Sequence, residues 1–278
     1  MRVWRTDFVL WVQKGISYLV IFVVVSFIIW VAYMVHGGRD AAILMYHSVG
    51  EVLPQDKTIN VSVEAFQQQM AFLKKHHYHV IPLLEVVELL KTGQKIPPKT
   101  VVITFDDGYE NNYTLVFPIL KRYQLPATIF IISRFIGQEE QMYGRRVKFM
   151  TTAMVKEIAD SGIVTIGSHT QHHLFLPKVS DPRMLEDEII GSKKDLEGLL
   201  NKPVLTFCYP IGGYNPQVQE VVKNAGYKVA VTTFHKKSGS FNDIFALKRI
   251  KVTEEARNPL LFFLETSGYF LRMKKIGR

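Results

Sequence analysis

The chain has 278 residues and one cysteine, Cys208, which excludes an intramolecular disulfide framework and a zinc site built from several cysteines. Hydrophobic residues make up 47% and aromatic residues 12% of the sequence, so a fully disordered chain is also excluded. The net charge of +9 indicates anionic surroundings, such as nucleic acid, membrane headgroups or an acidic cell-wall polymer, and composition does not choose among them.

The first predicted element is a membrane anchor. Residues 16–35 contain 20 residues without a charge, and a helix of that length reaches about 30 Å, the thickness of a bilayer's hydrocarbon core. Arg2, Arg5 and Lys14 precede this run, so the positive-inside rule places residues 1–15 in the cytoplasm. We therefore expect a single-pass protein of the cell membrane, anchored in lipid, with its remaining domain extracellular.

A cleaved signal peptide and a buried core helix are the alternatives for this segment. The apolar run is longer than a usual signal-peptide core of about 7–15 residues, and no clean Ala-x-Ala site follows it. An uncleaved anchor is therefore favoured. Residues 36–40 are predicted to form a linker, and residues 41–278 one outer domain.

The outer domain is predicted to alternate strands and helices. Ser62 suits the N-cap of a helix over Val63–Lys75, and Gly93 ends a helix predicted over Leu83–Lys91. Strands are predicted over Ala41–Val49, Thr100–Phe105, Ala127–Ser133, Val164–Ser168, Leu205–Tyr209, Lys228–Thr233 and Ala246–Val252. Further helices are predicted over Tyr109–Tyr123, Thr152–Asp160, Pro182–Leu200, Pro216–Ala225 and Pro259–Met273. This α/β alternation is typical of a parallel sheet, and about 240 residues of it suit one (β/α) barrel better than two small domains.

The first polar cluster, Asp106-Asp107-Gly108, follows the strand Thr100–Phe105. In (β/α) barrels the chemistry lies where strands end. Two adjacent carboxylates at the rim of an apolar strand are costly unless they are paired or bound to a metal. Gly108 permits a sharp turn, so that one carboxylate can bind a cation while the other moves protons. Ordinary turn chemistry at a helix N-terminus is the alternative.

The second cluster, Ser168-His169-Thr170-Gln171-His172-His173, follows the strand Val164–Ser168. His169 and His173 are four residues apart, so one helical turn would direct both imidazoles to one point. A carboxylate and two imidazoles suit a divalent ion such as Zn²⁺ and leave positions for water and substrate. His172 lies between the two and is expected to be an exposed loop histidine.

With TFDDG at residues 104–108 and HTQHH at residues 169–173, the sequence resembles the polysaccharide deacetylase family, the NodB-homology enzymes of carbohydrate esterase family 4. The resemblance covers roughly residues 41–255. It implies a distorted (β/α) barrel of the NodB type and hydrolysis of N-acetyl groups on an amino-sugar polymer. By this resemblance Asp106 is the general base. Asp107, His169 and His173 would hold the metal.

The family's third motif, usually Arg-x-Pro-Tyr, is altered in this sequence. The segment FCYPIGG places Cys208 where the family has its arginine and Ile211 where it has its tyrosine. That arginine normally orients the catalytic aspartate, and Arg249 is the candidate replacement, with an ordinary surface arginine as the alternative. The backbone N–H of Ile211 can still stabilise a tetrahedral oxyanion, because that role needs no particular side chain.

The general acid is the second departure from the family pattern. Many relatives supply it from a late Leu-x-His motif, but only His235 follows His173. His47 ends the first predicted strand and is the preferred candidate, because barrel closure brings the first and last strands together. Members resembling the poly-N-acetylglucosamine deacetylases carry such a Tyr-His pair together with Tyr-Pro-x-Gly. A hydrogen-bonded core histidine is the alternative for His47, and His235 stays the alternative acid.

The sequence therefore predicts a metal-dependent N-deacetylase domain over residues 41–278. Its predicted substrate is an N-acetylglucosamine-containing cell-surface polysaccharide, either poly-β-1,6-N-acetylglucosamine or peptidoglycan. A membrane-tethered glycan-binding protein that has lost catalysis is the alternative, because the arginine and the Leu-x-His motif are missing. No nucleic-acid-binding motif accompanies the basic residues, so a nucleic-acid partner is not expected.

Overall fold

The computed structural model describes residues 14–29, 41–142, 144–233 and 243–267. The chain divides into two compact units, Met1–Gly38 and Arg39–Arg278. In the first unit, residues 14–29 are helical and are named α1. Among the described residues, no helix combines the length and the apolar character needed to cross a membrane. Residues 30–35 of the predicted anchor, and the predicted linker 36–40, lie outside the described part of the chain.

The second unit alternates strands and helices, as the sequence predicts. Its strands are β1 Ala42–Tyr46, β2 Ser48–Val49, β3 Asn60–Val61, β4 His79–Val80, β5 Thr100–Phe105, β6 Ala127–Ile131, β7 Glu139–Met142, β8 Arg145–Lys148, β9 Val164–Ser168, β10 Thr206–Cys208, β11 Val229–Thr232, β12 Leu247–Lys248 and β13 Ile250–Lys251. Its helices are α2 Val63–Lys75, α3 Leu83–Lys91, α4 Phe117–Tyr123, α5 Thr152–Asp160, α6 Pro182–Glu186, α7 Ser192–Leu200, α8 Pro216–Asn224 and α9 Pro259–Thr266.

The main sheet is parallel and nearly closes into a (β/α) barrel. Its strand order is β12-β11-β10-β9-β6-β5-β1-β13, and β4 pairs with β5 beside this path. The two end strands, β12 and β13, are consecutive in the chain and are separated by Arg249 alone. Arg249 therefore stands at the seam of the barrel, by which we mean the junction of β12 and β13. The predicted α/β barrel fold is confirmed.

Two predicted strands are each divided at a polar residue. The prediction of one strand over Ala246–Val252 is wrong because the chain changes partner at Arg249: β12 pairs with β11 and β13 with β1. The strand predicted over Ala41–Val49 is likewise divided at His47, because β1 pairs within the barrel whereas β2 pairs with β3. Both interruptions place a polar side chain at the rim.

Two predicted helices contain a wider turn. The helix predicted over Tyr109–Tyr123 begins with a wide turn at Asn112–Val116 before regular α4. The helix predicted over Pro182–Leu200 consists of α6 and α7 joined by a wide turn at Asp187–Gly191. Such turns insert one extra residue and are frequent at functional sites, and the sequence periodicity does not reveal them. For the last predicted helix, the part beyond residue 267 lies outside the described residues.

The core covers the central strands of the sheet on both faces. Every residue of β5 and of β6 is buried, as expected for parallel strands covered on both faces. Alternate strand residues pack into two clusters, and Cys208 belongs to the one that contains Ile43 and Val102. Cys208 is thus a small, fully buried side chain.

Candidate active site

The site lies at the carboxyl ends of neighbouring parallel strands. Asp106 and Asp107 directly follow β5, and His169 directly follows β9. His47 follows β1, which pairs with β5 along its whole length. Arg249 reaches the same rim from the seam between β12 and β13. The topology therefore brings together residues that are far apart in the sequence.

The loops of the site contain strained backbone. Asp107, Thr170, His173 and Ile211 have φ values of +72°, +66°, +60° and +57°. Residues other than glycine rarely adopt this left-handed region, which costs on the order of 1–3 kcal/mol for each residue and is typical of functional sites. Gly108, with φ +82°, is the one position in the TFDDG loop where glycine relieves that cost.

The histidine loop, which we define as residues 169–173, is not the helical turn that the sequence suggested. Thr170 and His173 are both left-handed, and the backbone N–H of His173 donates to Thr170 Oγ1 at 3.0 Å. The prediction of one helical turn is wrong because these two residues reverse the chain instead. The two imidazoles still meet, with ring centroids of His169 and His173 4.8 Å apart.

Asp107, His169 and His173 form a possible metal site. Asp107 Oδ1 lies 3.5 Å from His169 Nε2 and 3.6 Å from His173 Nε2, and the three side chains each offer one ligand atom within 4.8 Å of the others. His169 Nδ1 lies 2.9 Å from the Cys208 carbonyl oxygen, to which its N–H donates. Such a bond fixes the tautomer and directs Nε2 towards a metal. One carboxylate and two imidazoles fit a divalent ion.

The electrostatics of these three side chains differ. Burial raises the pKa of Asp107, but the His169 hydrogen bond and nearby histidine charges outweigh it, so this pKa lies well below its ordinary value. Burial opposes the charged form of His169, but Cys208 and the Asp107 carboxylate raise its pKa well above the ordinary value. Burial, with the charge of His169, lowers the pKa of His173 to about 4.

Arg249 is paired with Asp106. It donates from Nη1 to Asp106 Oδ1 at 2.6 Å and from Nη2 to Asp106 Oδ2 at 2.7 Å. Its Nη1 also donates to Thr104 Oγ1, and its Nη2 donates to Cys208 Sγ, both at 3.0 Å. The guanidinium lies over the Phe130 ring, 5.5 Å from its centroid, and the residue is 1% exposed. Arg249 is therefore a buried partner of Asp106 and not a surface arginine.

This pairing determines the charge of Asp106. Burial alone would raise the pKa of Asp106, but the charge and hydrogen bonds of Arg249 outweigh burial and hold that pKa below its ordinary value. Asp106, His169 and Cys208 form a second group of potential metal ligands. Because the Arg249 guanidinium donates to both Asp106 and Cys208, its positive charge disfavours a cation there. The Asp107 group is thus the better metal site.

His47 lies beside the paired carboxylate. Its Nε2 is 4.0 Å from Asp106 Oδ2, and its side chain is 18% exposed. Asn112 Nδ2 donates to the His47 backbone oxygen at 2.9 Å, which fixes the start of the loop. Burial lowers the pKa of His47, while the charges of Asp106 and Asp107 oppose that shift. The alternative acid, His235, lies outside the described residues.

Ile211 stands in a tight turn after β10. The turn spans Pro210–Gly212, and the Ile211 side chain is largely exposed. Thr232 Oγ1 donates to the Gly212 oxygen at 2.7 Å, and a Cβ at Gly212 would collide with the Thr233 side chain. The backbone of the turn is therefore held against β11.

Sequence reasoning missed Glu188. This buried carboxylate accepts from the backbone N–H of His172 at 3.0 Å and from its Nδ1–H at 2.6 Å. The His172 side chain is 52% exposed, as expected for a loop histidine, but it is bound and not freely solvated. Glu188 lies beside Glu186 and Asp187 in the sequence. Nothing in their spacing marks which of the three points inward.

The chain is similar to known proteins over about three quarters of its length. A family model described as polysaccharide deacetylase matches residues 93–230. YxkH of Bacillus subtilis (strain 168), whose name assigns it to the polysaccharide deacetylases, is 32% identical over 211 residues, which cover 76% of this chain and 71% of the relative. The chain belongs to the polysaccharide deacetylase family. The resemblance drawn from TFDDG and HTQHH is confirmed.

One curated relative and two solved structures are also similar to this polysaccharide deacetylase. The poly-β-1,6-N-acetyl-D-glucosamine N-deacetylase of Staphylococcus aureus (strain MSSA476) is 30% identical over 213 residues, 74% of this chain and 72% of the relative. The Streptococcus pyogenes deacetylase PplD, solved with acetate, superposes with a TM-score of 0.69 at 27% identity and covers 81% of this chain and 98% of that one. IcaB from Ammonifex degensii shares the fold, with a TM-score of 0.71 at 24% identity over 82% of this chain and 98% of that one.

Proposed function

We propose that this polysaccharide deacetylase is a metal-dependent N-deacetylase acting on an N-acetylglucosamine polysaccharide of the cell surface. The observation that carries the proposal is the pairing of Asp106 with Arg249 beside three converging metal-type donors. The arrangement offers an ionised carboxylate for proton transfer next to a place for a divalent ion. Deacetylases of this family generally depend on such an ion.

Asp107, His169 and His173 would hold the ion, and Zn²⁺ is the proposed metal because this donor set is typical of catalytic zinc sites. Bound there, the ion supplies Lewis-acid chemistry, polarising the acetyl carbonyl and making water easier to deprotonate. The chain's part is to present neutral Nε2 atoms. His173 does so readily, since its pKa is lowered to about 4, and His169 is oriented by the Cys208 carbonyl oxygen.

Asp106 is the proposed general base, which takes a proton from the attacking water. A base must be ionised before the reaction, and the Arg249 guanidinium keeps Asp106 in that form despite its burial. The two-point pairing also fixes the plane of the carboxylate. Arg249 is thus proposed to position Asp106, the task that the family's arginine performs from the position of Cys208.

His47 is the proposed general acid, which protonates the departing amine. It lies 4.0 Å from Asp106 at the rim. Burial lowers the pKa of His47 overall, and the charges of Asp106 and Asp107 oppose this shift in favour of the protonated ring that the role requires. The backbone N–H of Ile211 is proposed to donate to the oxyanion of the tetrahedral intermediate. Its turn is fixed by the Gly212 contacts with β11.

The first proposed substrate is poly-β-1,6-N-acetylglucosamine, supported by the name of the Staphylococcus aureus relative and by the segment FCYPIGG; peptidoglycan is the second. The test is acetate release by the zinc-loaded full chain from β-1,6-linked oligomers, chito-oligomers and a peptidoglycan fragment. We expect the fastest release from the β-1,6 oligomers. Acetate release from none of the three would contradict the proposal.

Glycan binding without catalysis is the alternative function. One reason for it was the missing arginine of the third motif, and this reason is weakened because Arg249 supplies a guanidinium to Asp106.

We further propose that residues 16–35 anchor the domain outside the cell membrane, on the strength of their uncharged run and the basic residues before it. Membrane fractionation with protease treatment of intact cells tests this. The domain should sediment with membranes and be cleaved from outside.

A further inference from the structure

A buried carboxylate contacts the histidine loop from behind. Glu188 lies in the wide turn Asp187–Gly191 between α6 and α7 and is 3% exposed. Its Oε2 accepts the backbone N–H of His172 at 3.0 Å, and its Oε1 accepts the Nδ1–H of the same residue at 2.6 Å. Both carboxylate oxygens are therefore used on one residue, the one directly before His173.

The histidine loop requires outside contacts to keep its shape. Its left-handed residues, Thr170 and His173, each cost on the order of 1–3 kcal/mol, and such conformations persist only when the surroundings enforce them. At the start of the loop, the His169 N–H donates to the Ile131 oxygen at 2.9 Å. At its centre, Gln171 Nε2 donates to Asp195 Oδ2 at 2.9 Å. At its end, the contact is the one made by Glu188.

The wide turn brings Glu188 close to the loop. A Cβ at Gly191 would lie 2.7 Å from Gln171 Nε2, so the turn lies directly against the Gln171 side chain of the loop. The extra residue of the turn directs Glu188 inward, whereas its neighbours Glu186 and Asp187 are exposed. The segment between α6 and α7 thus packs directly against the loop that carries two of the proposed ligands.

We infer, on the basis of the metal site proposed above, that Glu188 is a positioning residue for the metal: through His172 it holds His173 in the ligating conformation. Glu188 itself contacts neither the ion nor the substrate. Partners that orient metal ligands in this way typically change metal affinity by about 10- to 100-fold when they are removed. Removal of Glu188 should therefore lower the affinity for the metal while leaving the chain folded.

The experiment compares the full chain with E188Q, H172A and the control E197Q. In E188Q an amide replaces one oxygen, so only one of the two His172 groups keeps an acceptor. H172A removes the side-chain half of the contact without changing the charge of Glu188. E197Q alters a carboxylate on α7 that also accepts a backbone N–H, that of Val204 at 2.9 Å, but does not touch the loop.

Affinity for Zn²⁺ alone is measured by competition with a chromophoric chelator, and the Co²⁺ absorption spectrum reports ligand geometry. We expect E188Q to bind Zn²⁺ about 10- to 100-fold more weakly with an altered Co²⁺ spectrum. H172A should weaken binding by a smaller factor, and its effect should shrink in the E188Q background because both changes act on one contact. E197Q should bind as the unaltered chain does.

The assignment is overturned if folded E188Q matches the unaltered chain in Zn²⁺ affinity and Co²⁺ spectrum, or if E197Q loses as much affinity as E188Q. Failure of the proposed function gives a different result. A chain that binds Zn²⁺ with a Glu188-dependent affinity but releases no acetate would contradict the deacetylase mechanism and leave the role of Glu188 intact. If H173A binds Zn²⁺ as tightly as the unaltered chain, the metal site itself is wrong, and the assignment fails with it.

Discussion

Arg249 and Asp106, 143 positions apart in the sequence, form a two-point ion pair at the seam of the barrel, with N–O distances of 2.6 and 2.7 Å. The family's arginine would enter from position 208, at the end of β10. There the chain has Cys208, whose Sγ lies 3.0 Å from Arg249 Nη2. A guanidinium thus meets this carboxylate from a different strand, and the small thiol leaves the space for it.

Removal of Arg249 should affect both stability and proton transfer. R249M leaves Asp106 buried without its cation, and breaking a buried pair typically costs about 3–5 kcal/mol. Because Arg249 is what holds the pKa of Asp106 down, that pKa should rise, and the acid limb of the pH–rate profile should move to higher pH. R249K should give a smaller shift. An unchanged pH profile in folded R249M would contradict the positioning role, and denaturant unfolding measures the stability.

Whether an arginine at position 208 can replace Arg249 can be tested directly. C208R alone should lose activity and stability, because a second guanidinium would enter the space beside Arg249. The double variant C208R/R249A should be more active than R249A, since it restores an arginine at the family's position. Measurement of kcat/KM for the three variants checks this. A double variant no better than R249A would show that the two positions are not equivalent.

Metal binding should release about one proton per ion at neutral pH. The raised pKa of His169 leaves this ring protonated without metal, and it must lose that proton to become a ligand. His173, with its pKa at about 4, and Asp107, with its lowered pKa, have none to lose. Titration calorimetry in two buffers of different protonation enthalpy counts the protons. Release of no proton would contradict the assigned charges.

The general acid can be identified by comparing substrates whose leaving groups do and do not need a proton. H47A should lower amide deacetylation by roughly 10²–10⁴-fold, the usual contribution of a positioned acid. An activated acetyl ester needs no proton on its leaving group, so H47A should retain most of that activity. Because the acid works in its protonated form, deacetylation should decline as the pH rises through the pKa of His47. Equal losses on amide and ester would argue against an acid role, and H235A is the matched comparison.

The sequence predicts the larger features of the molecule well. Apolar strands ending in polar clusters indicate a barrel with a site at its rim, and strand pairing between β1 and β13 places His47 and Arg249 there. Periodicity could not show that the strands divide at these two residues, because pairing partners are a tertiary property. The local pattern also misled at the histidine loop, since no glycine marks Thr170 or His173 as left-handed.

The contacts that hold the histidine loop in its left-handed conformation come from distant segments. The sequence does not show them, because contacts between distant segments are also a tertiary property. Glu188 is 16 positions beyond His172. It lies in the segment predicted as one helix, where no sequence pattern distinguishes a buried charged residue from an exposed one. Its burial follows from a wide turn that has no sequence signal of its own. Motifs therefore locate the chemical groups, whereas the means of orienting them depend on packing between elements.

The most direct test of the proposed mechanism is the behaviour of D106N. Asp106 is assigned to proton transfer and not to metal binding, so zinc-loaded D106N should hold the same amount of metal as the unaltered chain by elemental analysis. It should nevertheless release no acetate from β-1,6-linked N-acetylglucosamine oligomers under conditions where the unaltered chain does. Acetate release at the unaltered rate by D106N would contradict the assignment of Asp106 as the general base, and with it the account of this site.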